Sequence, residues 1–353
     1  MKILLIKYRN IGDILLSTAL ISNLRLNFPN AKIDYALNKD CEEMILDNPD
    51  INQIISYDRK KVNGLSTLKK IIEELKNIIY IRKQSYDLVI NLTEGERGAF
   101  LAFFSKAKNK LGYRIRKGIF SKFNIFDNLA NDNEIQHTVE KDLQFISMLG
   151  KNPVSQKISI FWNIVIEKNI ETILQENKLS EFIHIHPVSR WMFKCWEDDR
   201  MAKIIDYLSL QKKYQIVLTC SDEMDEKDRI NNILGLCKSK PINLAGKMSL
   251  KHLACLSSKS KFFFGIDSAP MHIAAANEIP VISIMGASEA SKWGPWVNNK
   301  DNFYSNKGVQ KNSSHIVFAD DDYAIFYDNG VKKCKGMVNI KAKEVIGVLN
   351  EFC

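Results

Sequence analysis

The chain has 353 residues, of which 45% are apolar, and a formal net charge of +9 with a sequence pI of about 9.0. This length predicts two domains of ordinary size, and the composition is typical of a soluble globular protein. Seven widely spaced cysteines without a C-x-x-C pair argue against a disulfide framework or a zinc site and favour a reducing compartment.

The amino-terminal run MKILLIKYRNIGD is too short for a signal peptide, and no run of 18 apolar residues occurs. We therefore expect a cytoplasmic protein whose membrane contact, if any, is peripheral. The excess of positive charge favours anionic partners such as nucleotide phosphates, nucleic acid or an acidic membrane surface. The alternative is a generally basic composition, because the charge reads as spread along the chain.

The first half of the chain alternates short apolar strands with helices. The predicted strands cover residues 3–6, 32–37, 51–57 and 87–92, and the predicted helices cover 14–28, 68–84, 99–105 and 137–149. This alternation is typical of a parallel sheet with helices on both faces. The turn at 150–153 is the clearest break, and it predicts a linker and a change of domain over 150–175.

The second half repeats the alternation, which predicts an α/β fold of two doubly wound domains, 1–170 and 171–353, with a ligand cleft between them. The predicted strands cover 182–186, 215–219, 242–244, 262–264 and 281–285, and the helices cover 198–211, 226–236, 249–257 and a segment that begins at Ser268.

The turn between the strand at 262–264 and the following helix carries Asp267 and Ser268. Ser268 suits the helix N-cap and Pro270 the first turn, so free helix N–H groups would lie beside a polar pair. Such a helix start binds phosphate or pyrophosphate, and His272 follows one helical turn later. The alternative is an ordinary βαβ unit whose polar residues only cap a helix.

A loop after the strand at 182–186, with the sequence HPVSRWMFKCW, holds Ser189, Arg190 and Lys194. A hydroxyl, a guanidinium and an ammonium at the carboxyl end of a strand could neutralise a diphosphate. Alternatively, this is a basic loop anchored in the core by its aromatic residues.

Carboxylates at 222–226 could accept hydrogen bonds from ribose hydroxyls, or they could form a solvated helix start. Met248 or Leu244, near the glycine turn at 246, could cover a base.

In the first half, Asp13 follows Gly12 where a strand leads into a helix, and it could serve as the N-cap or as a general base. The absence of a full G-x-G-x-x-G argues against a dinucleotide site there. Basic and aromatic residues alternate over 106–122, which is compatible with a membrane surface, with nucleic acid, or with a solvated face that has core anchors.

Three segments together resemble the bacterial ADP-heptose:lipopolysaccharide heptosyltransferases, glycosyltransferase family 9. They are KILLIKYRNIGDILLSTALISNLRLNFPNAKIDY, HPVSRWMFKCW and GIDSAPMHIAAANEIPVISIMGASEASKWGPW. The form RWMFKCW at 190–196 resembles the heptosyltransferase III branch in particular. The likeness runs in order over most of the chain.

The resemblance implies a GT-B architecture, with two facing Rossmann-like domains that bind the acceptor on the first and the nucleotide sugar on the second. It implies inverting transfer of heptose from ADP-heptose to the inner core of lipopolysaccharide, at the cytoplasmic face of the inner membrane. No metal, cofactor or nucleic acid is implied. The alternative enzyme uses another nucleotide sugar or another surface glycan, and a different class is a non-catalytic nucleotide- or nucleic-acid-binding protein.

Residue roles follow from the same resemblance. Asp13 becomes the general base, and Lys194 becomes the cation that faces the departing diphosphate. The donor-binding residues would be Ser189, Arg190, Glu226, Met248, Asp267, Ser268, Ala269 and His272, and the acceptor contacts would be Gly12, Arg97 and Arg114. Residues 319–338 depart from the family pattern. Members of this branch often carry several cysteines in this segment, whereas this chain has only Cys334 there. The segment also carries the acidic run 320–322, which would be a surface loop or a metal site.

Overall fold

The computed structural model describes residues 1–131, 136–298, 302 and 304–352. Contacts within the chain divide it into two compact units, Met1–Phe161 and Trp162–Cys353. The boundary at 170 that we predict from the sequence falls inside the first helix of the second unit, Ile164–Glu176. This helix stands where the sequence predicts a linker over 150–175, so that part of the linker prediction is wrong.

The first unit is built on a six-stranded parallel sheet with the order β3-β2-β1-β4-β5-β6. This is the strand order of a Rossmann sheet. The strands are β1 (Lys2–Lys7), β2 (Lys32–Asn38), β3 (Gln53–Tyr57), β4 (Leu88–Asn91), β5 (Asn109–Gly112) and β6 (Asn128–Leu129). The helices are α1 (Ile11–Leu16), α2 (Thr18–Asn27), α3 (Arg59–Asn63), α4 (Thr67–Lys83), α5 (Glu96–Ser105) and α6 (Thr138–Met148).

The single helix predicted over 14–28 is two helices, and it begins earlier than predicted. Asn10 is the N-cap of α1, and the Asp13 side chain completes a capping box in the first turn. The break falls at Ser17, whose hydroxyl donates to the carbonyl of Ile14 at 2.7 Å and lies 2.7 Å from the hydroxyl of Tyr35. Local side-chain bonds of this kind compete with regular helix geometry.

The second unit is built on a seven-stranded sheet with the order β12-β13-β11-β10-β7-β8-β9, in which only the edge strand β12 is antiparallel. Its strands are β7 (Phe182–His186), β8 (Gln215–Leu218), β9 (Ile242–Asn243), β10 (Phe263–Ile266), β11 (Val281–Met285), β12 (Gly308–Lys311) and β13 (His315–Ala319). A separate hairpin pairs β14 (Ile325–Asp328) with β15 (Val331–Cys334).

Helices flank this second sheet, and a π-helical turn, Tyr207–Gln211, extends α8 over the rest of the helix predicted at 198–211. The helices are α7 (Ile164–Glu176), α8 (Asp198–Asp206), α9 (Met224–Leu236), α10 (Leu250–Ser258), α11 (Ala269–Ala276), α12 (Ala290–Trp293), α13 (Lys335–Asn339) and α14 (Ala342–Phe352). Within the described residues, no helix combines the length and apolar character needed to cross a membrane.

In both sheets the first strand of the unit lies beside the fourth, β1 beside β4 and β7 beside β10. In each sheet the strands that follow the first strand lie on one side of this pair, and the strands that follow the fourth lie on the other side. Ligands of doubly wound sheets bind at this switch point, just beyond the carboxyl ends of the strands. The residues that follow β1, β4, β7 and β10 are therefore the first to inspect for function.

Two buried histidines predict a loss of stability in mild acid. His184 Nε2 and His186 Nδ1 lie 2.7 and 3.0 Å from the Thr219 hydroxyl, and burial lowers the pKa of each imidazole to about 3. In the unfolded chain the two imidazoles take up protons near pH 6.5. Their contribution to the free energy of unfolding is therefore fully present above that pH and is lost as the pH falls toward about 3. The expected loss is roughly 1.4 kcal/mol per pH unit for each histidine.

Urea unfolding at a series of pH values measures this slope. In the double variant His184→Gln and His186→Gln, the free energy of unfolding should depend less steeply on pH over the same range. An unchanged slope in that variant would assign the acid sensitivity to other groups.

Candidate active site

Asp13 lies beyond the carboxyl end of β1, at the switch point of the first unit. Its side chain is buried, and its two carboxylate oxygens accept from different donors: Oδ1 from Arg9 Nε at 3.1 Å and Oδ2 from the Asn10 amide at 3.3 Å. A carboxylate offers about four acceptor positions, so these two bonds leave capacity for another proton donor. The N-cap predicted for Asp13 is in fact Asn10, and Asp13 supports it from the third helical position. Its role as a general base stays a prediction.

Arg9 is a neighbour of Asp13 that the sequence patterns do not single out. Burial lowers the pKa of its guanidinium, but the Asp13 carboxylate raises it by more, so the net pKa lies above the ordinary value. The Arg9 side chain remains 43% exposed. It is therefore a permanent cation beside Asp13 that solvent and ligands can reach.

A second charged pair lies within the same unit, at the end of β1. Lys7 Nζ is 2.5 Å from Asp142 Oδ2, and the Tyr113 hydroxyl donates to Asp142 Oδ1 at 3.0 Å. Both ionic side chains are buried, and desolvation raises the pKa of Asp142 despite the opposing ammonium of Lys7. Asp142 occupies the buried side of α6 among Val139, Leu143 and Ile146, so a carboxylate in an apolar helix stripe was the available sequence signal.

The three predicted acceptor residues have different surroundings. Gly12 is in the first turn of α1, next to Asp13. Arg97 pairs with both carboxylate oxygens of Glu74 at 2.9 and 3.0 Å, and its guanidinium lies 3.0 Å from the centroid of the Tyr57 ring. Arg114 is exposed, two residues beyond β5.

In the second unit, the switch point brings Lys194 and Asp267 together. Lys194 ends a 3₁₀ turn that follows β7, and Asp267 comes directly after β10. Their Nζ and Oδ2 atoms lie 2.5 Å apart. Burial raises the pKa of Asp267, but the positive charges of Lys194 and His272 lower it by more, so this carboxyl group has a pKa below its ordinary value.

The start of α11 completes this group. Ser268 occupies the predicted N-cap position with extended backbone, although its hydroxyl donates to the Ile266 carbonyl at 3.3 Å instead of capping an amide. Ala269 begins the helix, and His272 is buried in its first turns. Pro270 has no N–H group, and the Met271 amide donates to the Ser268 carbonyl at 3.1 Å. An anion at this edge would therefore meet the Ala269 amide and the positive end of the helix dipole.

Ser189 and Arg190 lie in the loop between β7 and Lys194. The buried Ser189 hydroxyl accepts from the Trp191 amide at 3.2 Å, and this bond fixes the start of the 3₁₀ turn. The Arg190 guanidinium carbon lies 5.3 Å from the Trp191 ring centroid, in a cation–π contact on the exposed side of the loop.

Glu226 and Met248, the predicted contacts to the nucleoside, take part in the packing of the unit. Glu226 is buried in the first turn of α9, and its Oε2 accepts from the Ser221 amide, just beyond β8, at 2.9 Å. Met248 packs against the buried side chains of Leu244 and Phe182.

Residues 334–340 form hydrogen bonds with residues near this switch point. The Cys334 thiol donates to the Gly286 carbonyl at 3.2 Å, and the Ile340 carbonyl accepts from Trp196 Nε1 at 3.0 Å. A Cβ on Gly286 would lie 2.2 Å from the carbonyl carbon of Gly336. Only glycine at 286 permits this close approach of the two backbones.

Carboxylates of the acidic run at 320–322 pair with nearby groups of the same unit. Asp320 Oδ1 accepts from the Asp322 amide at 3.0 Å and from Asn339 Nδ2 at 3.2 Å, while Asp321 pairs with Lys307. Over the described ranges, no group of three or more histidine, cysteine, aspartate or glutamate side chains is arranged to hold a metal ion.

Comparisons with known proteins agree with this architecture. The family model of glycosyltransferase family 9 (heptosyltransferase) matches residues 76–317. Lipopolysaccharide heptosyltransferase 3 of Escherichia coli K12 is 36% identical over 300 residues, which is 83% of this chain and 85% of that protein.

Two solved structures share the fold. A family 9 glycosyl transferase from Veillonella parvula has a TM-score of 0.77 and 21% identity and covers 99% of this chain and 96% of its own. The E. coli heptosyltransferase WaaC with ADP has a TM-score of 0.75 and 17% identity and covers 100% of both chains. These likenesses confirm the predicted α/β, GT-B fold class, and the match to the family model covers more than half of the residues. The chain therefore belongs to glycosyltransferase family 9, the heptosyltransferase family.

Proposed function

We propose that this protein transfers a heptose from ADP-heptose to the inner core of lipopolysaccharide. The observation that carries the proposal is the meeting of Lys194 and Asp267 at the switch point of the second sheet, beside the start of α11. That arrangement provides a cation and the positive end of a helix dipole where a nucleotide diphosphate would bind. The likeness to heptosyltransferase 3 of E. coli supports heptose as the sugar.

The proposed reaction is a single displacement at the anomeric carbon. The acceptor hydroxyl oxygen forms the new bond to that carbon, and Asp13 takes the hydroxyl proton. The bond between the anomeric carbon and the diphosphate oxygen breaks, and its electron pair leaves with ADP. Attack from the opposite side inverts the anomeric configuration. The transition state resembles an oxocarbenium ion, so its charge develops between a carboxylate and a leaving phosphate.

Lys194 is the proposed counter-charge for the leaving group. The Lys194 side chain is 22% exposed, whereas that of Asp267 is nearly buried, so the lysine is the more accessible member of the pair. A bound diphosphate would share or replace Asp267 as its partner. Fixed positive charge at the place where negative charge develops lowers the barrier, because it needs no reorganisation during the reaction. Lys194 and the positive end of α11 would supply that charge without a metal ion, and we propose metal-independent transfer.

The acceptor would be met at the cytoplasmic face of the inner membrane, where the lipid anchor of the core holds it. Arg9 is added to the predicted acceptor residues, because its half-exposed guanidinium lies beside the proposed base. An anionic group on the acceptor could bind Arg9 and bring a neighbouring hydroxyl to Asp13.

The variant Asp13→Asn should bind donor and lose turnover. The amide cannot accept the acceptor proton, so we expect the rate to fall by roughly 10²- to 10⁴-fold. The increase in melting temperature caused by ADP-heptose should stay at its wild-type value. Asp47→Asn, at an exposed turn of the same unit, is the matched control and should keep full activity. Wild-type turnover in Asp13→Asn would remove the assigned base.

The variant Lys194→Gln should bind ADP more weakly and transfer roughly 10²- to 10³-fold more slowly, as expected for the loss of one electrostatic contact to the leaving group. Loss of the cation also leaves Asp267 buried without its partner, so the melting temperature should fall. Activity is therefore measured well below that temperature. Lys203→Gln on the exposed side of α8 is the control, and Lys194→Arg should restore part of the rate. Equal rates in wild type and Lys194→Gln would contradict the role.

A thermal-shift panel of ADP, ADP-heptose, UDP and GDP, each with and without EDTA, tests the donor. A ligand that binds only the folded state raises the melting temperature, so ADP and ADP-heptose should stabilise the protein equally well with EDTA present. A larger shift with UDP or GDP would keep the fold and replace the proposed donor. Analysis of the product's anomeric configuration by NMR tests inversion separately.

A further inference from the structure

The positive charge of this protein is concentrated in two segments of the first unit. Residues 59–83 and 103–122 together contain 15 lysines and arginines but only 2 acidic residues. Their net charge of +13 exceeds the +9 of the whole chain, and the remaining residues carry 35 basic and 39 acidic side chains. The positive charge is therefore concentrated in these two segments, and our interpretation that it is spread along the chain is wrong. The rest of the chain carries a small net negative charge.

Helix α4, in the first of these segments, carries an exposed apolar stripe. Leu68, Ile72, Leu75 and Ile79 are 75%, 50%, 51% and 51% exposed. Their spacing of four, three and four residues places them on one face of the helix. Ile81 is the one fully buried residue of α4. Burial of this stripe in water-excluding surroundings would be favourable, yet within the described residues it faces solvent.

Lysines border this stripe at a regular interval. Lys69, Lys76 and Lys83 recur every seven residues, so they form a row along one side of the apolar face. All three are exposed. An apolar face with flanking lysines is typical of helices that lie in the plane of a membrane interface, because the stems of the lysines reach toward headgroups while the apolar face enters the acyl region.

The second basic segment continues the same surface. Helix α5 packs beside α4, and the 3₁₀ turn Ile119–Lys122 packs on α5. This neighbouring region exposes Phe103, Ile119 and Phe123, at 48%, 70% and 57%. We call the exposed apolar residues of α4, α5 and this turn, with their surrounding lysines and arginines, the basic apolar face.

We propose that the basic apolar face docks the protein on the surface of a bilayer that contains anionic lipids. Charge complementarity selects this occupant: two copies of a face with so much positive charge would repel each other, whereas anionic headgroups attract it. The α4 stripe is aliphatic and offers little stacking surface to nucleic acid bases, and Phe103 and Phe123 are the only exposed aromatic side chains named in this face. The proposal deepens the membrane location given above and depends on that part of the proposed function.

Vesicle binding tests the proposal without donor or acceptor. The full chain is sedimented with vesicles of phosphatidylcholine alone and of an equal mixture with phosphatidylglycerol, at low and high salt. We expect binding to the anionic vesicles that weakens at high salt. The triple variants Leu68→Ser, Leu75→Ser, Ile79→Ser and Lys69→Gln, Lys76→Gln, Lys83→Gln should each lower the partition coefficient by roughly tenfold or more.

Matched controls come from exposed residues of the second unit. Met224→Ser with Leu236→Ser, and Lys168→Gln with Lys238→Gln and Lys240→Gln, remove similar groups elsewhere and should bind vesicles like the wild type. The circular dichroism and ADP-dependent thermal shift of every variant should match the wild type. Retention of these signals with loss of vesicle binding would support the face and leave the proposed chemistry intact.

Three outcomes would overturn the proposal. They are equal loss of vesicle binding in the control variants, an absence of wild-type binding to anionic vesicles, and a wild-type dimer in solution that the α4 variants dissociate. Binding to a labelled DNA or RNA duplex, without binding to vesicles, would likewise reassign the face to nucleic acid. Transfer of heptose to a water-soluble acceptor fragment, measured in parallel, tests the proposed function independently of the face.

Discussion

The ion pair between Lys194 and Asp267 is the interaction on which the second unit depends at the carboxyl ends of its strands. It joins the turn after β7 to the end of β10, two strands that are neighbours in the sheet, through two side chains that are 73 residues apart along the chain. Removal of either partner would leave the other as an unpaired charge in a poorly hydrated place. This costs more stability than breaking an exposed ion pair would. The same arrangement keeps a cation close to the helix start, where only an anion could compete for it.

The first unit solves a related problem with different residues. Its switch point contains the pairs Arg9–Asp13 and Lys7–Asp142, one partly exposed and one buried. The buried pair is reinforced by Tyr113 and is suited to holding β1 and α6 in place. The Arg9–Asp13 pair is reached by solvent through the Arg9 side chain. Both units therefore have an ion pair near the end of their first strand.

The sequence predicted the parts of this protein that depend on local pattern. The alternation of buried strands and amphipathic helices predicted four of the six strands of the first sheet and five of the seven strands of the second, and it missed β5, β6, β12 and β13. The Asp267–Ser268 turn predicted the start of α11. Pairings between distant residues could not be predicted in the same way. Arg9, Lys7 and Asp142 acquire their meaning only when β1, α1 and α6 come together, and the break at Ser17 depends on a bond to Tyr35. The helix at Ile164–Glu176 was missed because the Gly150–Pro153 break was extended too far. The roles of the site residues in transfer remain predictions.

The contacts of residues 334–340 have a consequence for biosynthesis. These residues bind the Gly286 carbonyl beyond β11 and the Trp196 side chain beyond Lys194, and Ile340 follows Trp196 by 144 residues along the chain. During translation the loop that carries Lys194 and Trp196 therefore lacks these contacts until residue 340 has been synthesised. The first unit, whose strands are all synthesised by residue 129, can fold long before then. A nascent chain can thus complete the sheet of its first unit well before the loop that carries Lys194 gains these contacts.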